Sequence, residues 1–242
     1  MPRIPKWLGD TMETVFSRMI IPVEVTGTEY LFPDLKRVIM EGDFTKARYA
    51  PGNVIEFRVT DTDFRHYTLS AFDREKGICE MLVYLHGRGV GSNWAATLKV
   101  GSRARLMGPG GKIKYKEAAT RHFVFGDETS VGLMECITRE AMKRGHTCYC
   151  LAELDPPHHS WTHRLGFQAV TVEKDYEPAA RYAAESIAAM DAAFWQQWKD
   201  AAFYITGRAK SIQAVRRVLV QKGITLKNIL TEPYWAEGKT GL

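Results

Sequence analysis

No stretch of this chain approaches the ~20 consecutive apolar residues that a membrane-spanning helix requires. The opening residues MPRIPKWLGD carry a proline at position 5 and no apolar run, so they do not read as a secretory signal. The cytoplasm is the expected location. Cysteine is scarce: Cys79, Cys136, Cys148 and Cys150, with no C-x-x-C pair among them. A cluster or zinc site would need two half-sites at ligand spacing, so an intrinsic iron–sulfur cluster is excluded and any electron-carrying group must be a bound cofactor. Internal repeats, low-complexity linkers and the dinucleotide fingerprint G-x-G-x-x-G are also missing; in GRGVG, Ser92 stands where that pattern would continue. Between residues 81 and 116 acidic residues are absent, while seven basic ones occur: Arg88, Lys99, Arg103, Arg105, Lys112, Lys114 and Lys116. A one-sign stretch concentrates anions, whether nucleic acid, a phosphate-bearing cofactor, an acidic protein or a small anion.

What is present is ordinary in amount, with 45% hydrophobic and 25% charged residues in 242, and informative in order. The first half reads as β: short runs rich in Val, Ile, Tyr and Leu at 37–41, 54–60, 65–70, 78–85 and 103–107 are divided by turn residues such as PGN at 51–53. Such spacing predicts a closed barrel, with one short helix capped by Ser92 over SNWAATL. After residue 117 strands alternate with helices. Strands are expected at 122–126, 147–154, 168–174 and 201–207, helices at 131–145, 181–200 and 211–223, and a loop runs to the end. This predicts a parallel sheet covered on both faces. The expected class is therefore an antiparallel β-barrel domain over 1–117 followed by a nucleotide-binding-like α/β domain over 118–242.

The chemistry is carried by RHYT at 65–68, HGRGVGSNW at 86–94 and GPGG at 108–111. These suit a flavin dinucleotide. Its planar ring wants an aromatic neighbour, which Tyr67 supplies. A small hydroxyl beside the ring's reactive N5 is useful, and Thr68 fits. The pyrophosphate wants a guanidinium and the free amides of a helix start, offered by Arg65 and by Gly91 with Ser92.

Together with GDETS at 126–130 and PYWAEG at 233–238, these motifs resemble the ferredoxin–NADP reductase superfamily, and within it the siderophore-interacting, FAD-dependent ferric reductases. The resemblance covers nearly the whole chain. It implies an N-terminal FAD barrel, with Arg65, His66, Tyr67, Thr68, His86, Gly91, Ser92 and Trp94 around the cofactor, Thr68 tuning N5. It implies reduction of a ferric siderophore with release of Fe(II), and electrons from NAD(P)H or reduced ferredoxin. It also implies a small basic set for an anionic siderophore: Lys46, Lys114 and Lys239, with Lys112 as alternate. Lys112, Lys114 and Lys116 alternate in KIKYK and would share one side of a strand. The alternative within this fold is an NAD(P)H-dependent flavin or ferredoxin oxidoreductase acting on something else.

In GDETS, Thr129 or Ser130 is expected to cap the following helix, with Asp127 and Glu128 complementing its dipole. Asp127 and Thr129 are the donor-side residues of that turn. Two carboxylates there disfavour a dinucleotide's phosphates, so reduced ferredoxin or weakly bound NADH becomes a candidate donor beside NAD(P)H. His158, His159 and His163 follow Pro156 and Pro157 in an apparent surface loop and are not read as ligands. The GKT at 238–240 lacks the glycine and the helix of a phosphate loop, and Phe194, Trp195 and Trp198 read as a packed helix face.

Overall fold

The computed structural model describes residues 20–239. The opening stretch MPRIPKWLGD and Thr240 of the GKT triplet lie outside the described residues. The chain divides into two compact units, the first ending at Gly111 and taking in Lys239, the second spanning 112–238. Sequence rhythm put the change at 117/118. Packing puts it earlier, because Ile113 and Tyr115 are buried in the core of the second unit.

In the first unit β1 (Ile20–Phe32), β2 (Leu35–Gly42), β3 (Val54–Arg58), β4 (Phe64–Asp73), β5 (Ile78–Tyr84) and β6 (Arg103–Gly110) close a barrel in the order β1-β2-β5-β4-β3-β6. All pairings are antiparallel. The expected barrel is present. Sequence reading missed β1, whose residues are mostly half-exposed or exposed and whose only two buried side chains are Val23 and Val25. Alternation fills the interior with Val38 and Met40 from β2, Phe57 from β3, Leu69 from β4, Met81 from β5 and Leu106 from β6. Between β5 and β6 lies a single helix, α1 (Val90–Thr97), which buries Ala95 against this core. It begins two residues before the expected Ser92 cap: Gly89 is the N-cap and no side chain caps the helix.

The second unit is a five-stranded parallel sheet, order β11-β10-β7-β8-β9, built from β7 (Arg121–Gly126), β8 (Thr147–Leu154), β9 (Val170–Glu173), β10 (Ala202–Arg208) and β11 (Ile229–Trp235). Helices α2 (Val131–Lys143), α3 (Trp161–Arg164), α4 (Arg181–Ala189), α5 (Ala192–Trp198) and α6 (Ala209–Gln221) connect the strands. The strands read as near-continuous apolar runs because both faces are covered: Phe123, Phe125, Phe203 and Ile205 on one side, Val124, Cys150, Ala152 and Tyr204 on the other.

Three expectations change here. The helix expected over 181–200 is two helices. Met190 is extended, and Asp191 starts α5 afresh by accepting a bond from Phe194 N at 2.7 Å. The expected terminal loop contains β11, paired with β10 along six positions. KIKYK keeps its alternation, Ile113 and Tyr115 buried and the three lysines exposed, but belongs to no sheet.

Candidate functional site

Strand alternation puts Arg65 and Tyr67 on the same face of β4, and α1 is seated against them. A Cβ at Gly91 would stand 3.0 Å from Arg65 Cγ and 3.1 Å from the Tyr67 hydroxyl, so any larger residue would press on both side chains. The Tyr67 hydroxyl donates to Gly91 O at 3.0 Å, and burial raises its pKa, which keeps the phenol protonated as a donor. Trp94, one turn further along α1, closes an aromatic group with Tyr67 and Phe57, centroids 5.7 and 5.0 Å away. Ser92 is buried within the first turn, and its Oγ accepts from Gly87 N at 3.1 Å. The structure therefore brings together Arg65, Tyr67, Gly91, Ser92 and Trp94.

It places the other cofactor candidates differently. His66 and Thr68 lie on the alternate face of β4, where His66 Nε2 meets Glu56 at 3.2 Å and Thr68 is buried. His86 lies on the turn before α1, its Nδ1 accepting from Arg88 N at 3.2 Å, and burial lowers its pKa. Lys46, Lys112, Lys114 and Lys239 are all exposed.

Does this seat fit a flavin dinucleotide? The first turn of α1 has amides free of any side-chain cap and no acidic residue, as a phosphate requires. Arg65 donates to Phe64 O at 2.7 Å and lies 3.5 Å from Asp63, which uses two of its five N–H donors. The residues fit.

The turn after β7 behaves unlike the sequence expectation. Ser130 stands at the N-cap of α2 but makes no side-chain cap bond, and the Asp127 side chain instead caps the short turn over Glu128–Ser130 that precedes the helix. Asp127, 1% exposed, accepts from Thr129 N at 2.9 Å, from Arg208 N at 3.0 Å and from Trp235 Nε1 at 2.6 Å. Burial raises its pKa. A Cβ at Gly207, where φ is +96°, would lie 2.8 Å from that carboxylate. Glu128 is buried too. It accepts from Lys174 Nζ and from Asp155 N at 2.7 Å, and faces His158 Nδ1 at 2.9 Å. Burial alone would raise its pKa, but Lys174 and the hydrogen bonds from Asp155 N and His158 together outweigh burial and the pKa falls.

His158 is thus a buried partner of Glu128, packed on Trp161, and not a surface-loop residue. Sequence reading missed it because the contact is with a residue thirty positions earlier. Oxygens of Glu128 and Asp155 and a nitrogen of His158 lie within 4.8 Å of one another, but the Lys174 ammonium already pairs with both carboxylates. Arg208, fully buried, donates to Glu237 and to the carbonyls of Asp175 (3.1 Å) and Tyr176 (3.3 Å), between the Tyr176 and Trp235 rings. The C-terminal edge of the sheet, where open α/β folds bind ligands, is knit together by the chain's own charges.

A closed antiparallel barrel with an arginine–tyrosine strand against an uncapped helix start, followed by a parallel α/β unit, is a fold this chain shares with solved siderophore-interacting proteins and ferredoxin reductases. Two family models match: the siderophore-interacting FAD-binding domain over residues 56–113 and the siderophore-interacting protein over 119–238. The chain belongs to the siderophore-interacting protein family, and its first unit carries that family's FAD-binding domain. Ferric vibriobactin reductase ViuB of Vibrio cholerae is 26% identical over 179 residues, 72% of this chain and 65% of that protein's length. Among solved structures, the siderophore-interacting protein SipS from Aeromonas hydrophila superposes with a TM-score of 0.74 at 18% identity, covering 91% of this chain and 93% of SipS. A variant of ferredoxin–NADP+ reductase from Plasmodium falciparum gives 0.72 at 12% identity, with 89% and 96% covered. Among the described residues no helix is long and apolar enough to cross a membrane.

Proposed function

We propose that this protein reduces Fe(III) held by an anionic siderophore, using FAD, and so releases the iron as Fe(II) in the cytoplasm. The observation that carries the flavin part is the seat formed by Arg65, Tyr67 and Gly91, with the uncapped first turn of α1 beside it. Family membership and the likeness to ViuB support the siderophore part. Bound FAD supplies two-electron uptake and one-electron release, which is what a ferric acceptor needs. Arg65 and the α1 amides hold the diphosphate, and Tyr67 and Trp94 bound the ring's apolar surroundings. Lys46, Lys114 and Lys239, with Lys112 as alternate, attract the anionic complex without ligating iron. Fe(II) binds hard oxygen ligands less tightly than Fe(III), so one electron is sufficient for release.

The buried charges around Asp127 and Glu128 favour reduced ferredoxin or weakly held NADH as donor over a tightly bound dinucleotide, since neither carboxylate turn nor Arg208 presents free phosphate donors. The test is direct. Purified protein should be yellow, and with a reducing partner it should turn over a ferric tris-catecholate. A colourless protein that takes up no added FAD sinks the proposal; a yellow protein inert to every ferric siderophore points instead to another oxidoreductase of the same fold. Rapid, saturable flavin reduction by micromolar NADPH would remove the donor assignment.

A further inference from the structure

Lys36 is a buried cation that belongs to none of the sequence motifs, yet it reaches the helix that carries one of them. It lies on β2 with only 2% of its surface exposed. Its Nζ donates to Ala95 O at 3.1 Å, Ala96 O at 3.1 Å and Leu98 O at 2.6 Å. An ammonium has three donors, and all three are spent on the carbonyls that end α1. Ala95 O accepts in addition from Leu98 N at 3.3 Å, and the last turn of α1 contains no basic residue of its own. The Tyr30 ring lies 5.1 Å from the same ammonium. Burial lowers the lysine's pKa, as expected for a cation removed from water. Withdrawing a charge from water is expensive, and an apolar side chain of the same size would fill the space without that cost. The helix's negative end offsets it.

The significance lies at the opposite end of the same helix. An eight-residue helix is about 12 Å long and is too short to be stable alone. It is held at its start by the Tyr67 hydroxyl on Gly91 O and by Ser92 on Gly87 N, and at its finish by Lys36. Anion binding at a helix start depends on amides that do not move. We infer that Lys36 is a positioning residue for FAD: by tying the end of α1 to β2, it holds the first-turn amides where the diphosphate needs them. This rests on the reading that the α1 start and Arg65 hold that diphosphate.

The experiment measures the FAD dissociation constant of the deflavinated full chain by fluorescence titration. Lys36→Met keeps the volume and removes the donors. Val38→Ala, two residues along β2 and fully buried, is the control for general destabilisation of the barrel. Lys36→Met should weaken FAD binding about tenfold or more, and Val38→Ala should change it less than about twofold at a comparable loss of thermal stability. Arg65→Ala and Gly91→Ala test the underlying site. If these two weaken FAD and Lys36→Met does not, the Lys36 inference is overturned alone. If none of the three matters, the cofactor seat itself is wrong and the inference goes with it. Should Lys36→Met fail to fold, hydrogen exchange on the unaltered protein decides. FAD should slow exchange at the 95–98 amides as well as at 90–92; protection confined to 90–92 overturns the coupling.

Discussion

Trp235 donates its indole N–H to Asp127 Oδ2 at 2.6 Å, so the last strand of the second unit is tied to the turn that follows its first. The same oxygen accepts from Arg208 N at 3.0 Å, and Gly207 leaves just enough room for the carboxylate. Three strand ends of the sheet therefore meet on one buried side chain.

Replacing Asp127 by Ala removes the acceptor of four donors: Thr129 N and Oγ1, Arg208 N and Trp235 Nε1. Urea denaturation should record a loss of about 3–5 kcal/mol in the transition of the second unit, against about 1 kcal/mol for Trp235→Phe with respect to the lost bond. Equal, small losses for the two variants would mean that Asp127 is solvated and does not organise the edge.

Arg65→Ala should lower the flavin retained through purification and weaken FAD about tenfold or more, as expected for loss of charge-assisted bonds to phosphate. Flavin content indistinguishable from the parent protein would refute the phosphate role.

Two buried groups give opposing pH dependences. Burial, and then the neighbouring His146, push the His122 imidazole from 6.5 down to about 4. Burial, opposed by Ser211 and reinforced by Asp127, raises the Glu153 carboxyl from 4.5 to about 7. The unfolded chain protonates His122 as the pH falls below 6.5, so its contribution is complete above that value and lost towards about 4. Glu153 runs the other way: its contribution is complete below 4.5 and lost as the pH rises through about 7. In the overlap the two slopes largely cancel. Glu153→Gln should raise stability at alkaline pH by about 2–3 kcal/mol and unmask an acid-side loss of similar size from His122. Parallel stability–pH curves for the variant and its parent would contradict both assignments.

Lys114→Ala and Lys239→Ala should each raise KM for an anionic ferric siderophore several-fold, roughly 1 kcal/mol per lost charge contact, with a smaller change in kcat. Steady-state kinetics on an anionic and a neutral ferric complex separate the outcomes. The same increase for both complexes would argue against an electrostatic role.

The barrel and the α/β unit were legible because strand and helix periods leave a direct mark on residue order. RHYT and HGRGVGSNW were legible as a flavin seat because their residue types match the cofactor's needs. β1 and β11 were missed for a related reason: one exposes most of its side chains, and the other carries Pro233 and Glu232, so neither shows an apolar rhythm. Asp127 was expected to act on a helix dipole and instead bonds Arg208 N and Trp235, which lie 81 and 108 residues away. Nothing in a local window signals such a partner.

The sequence by itself determined which faces are apolar, where the turns fall, and that an arginine and a tyrosine two residues apart share one side of a strand. Only the tertiary structure decided that Gly91 touches both of them, that Lys36 ends the helix beginning there, and that Lys174 pairs with Glu128 while His158 lies in hydrogen-bond contact with it. Periodicity is a property of neighbours along the chain. The pairing of buried charges depends on which distant segments the closed barrel and the parallel sheet bring within 3 Å or so of each other, as hydrogen bonding requires.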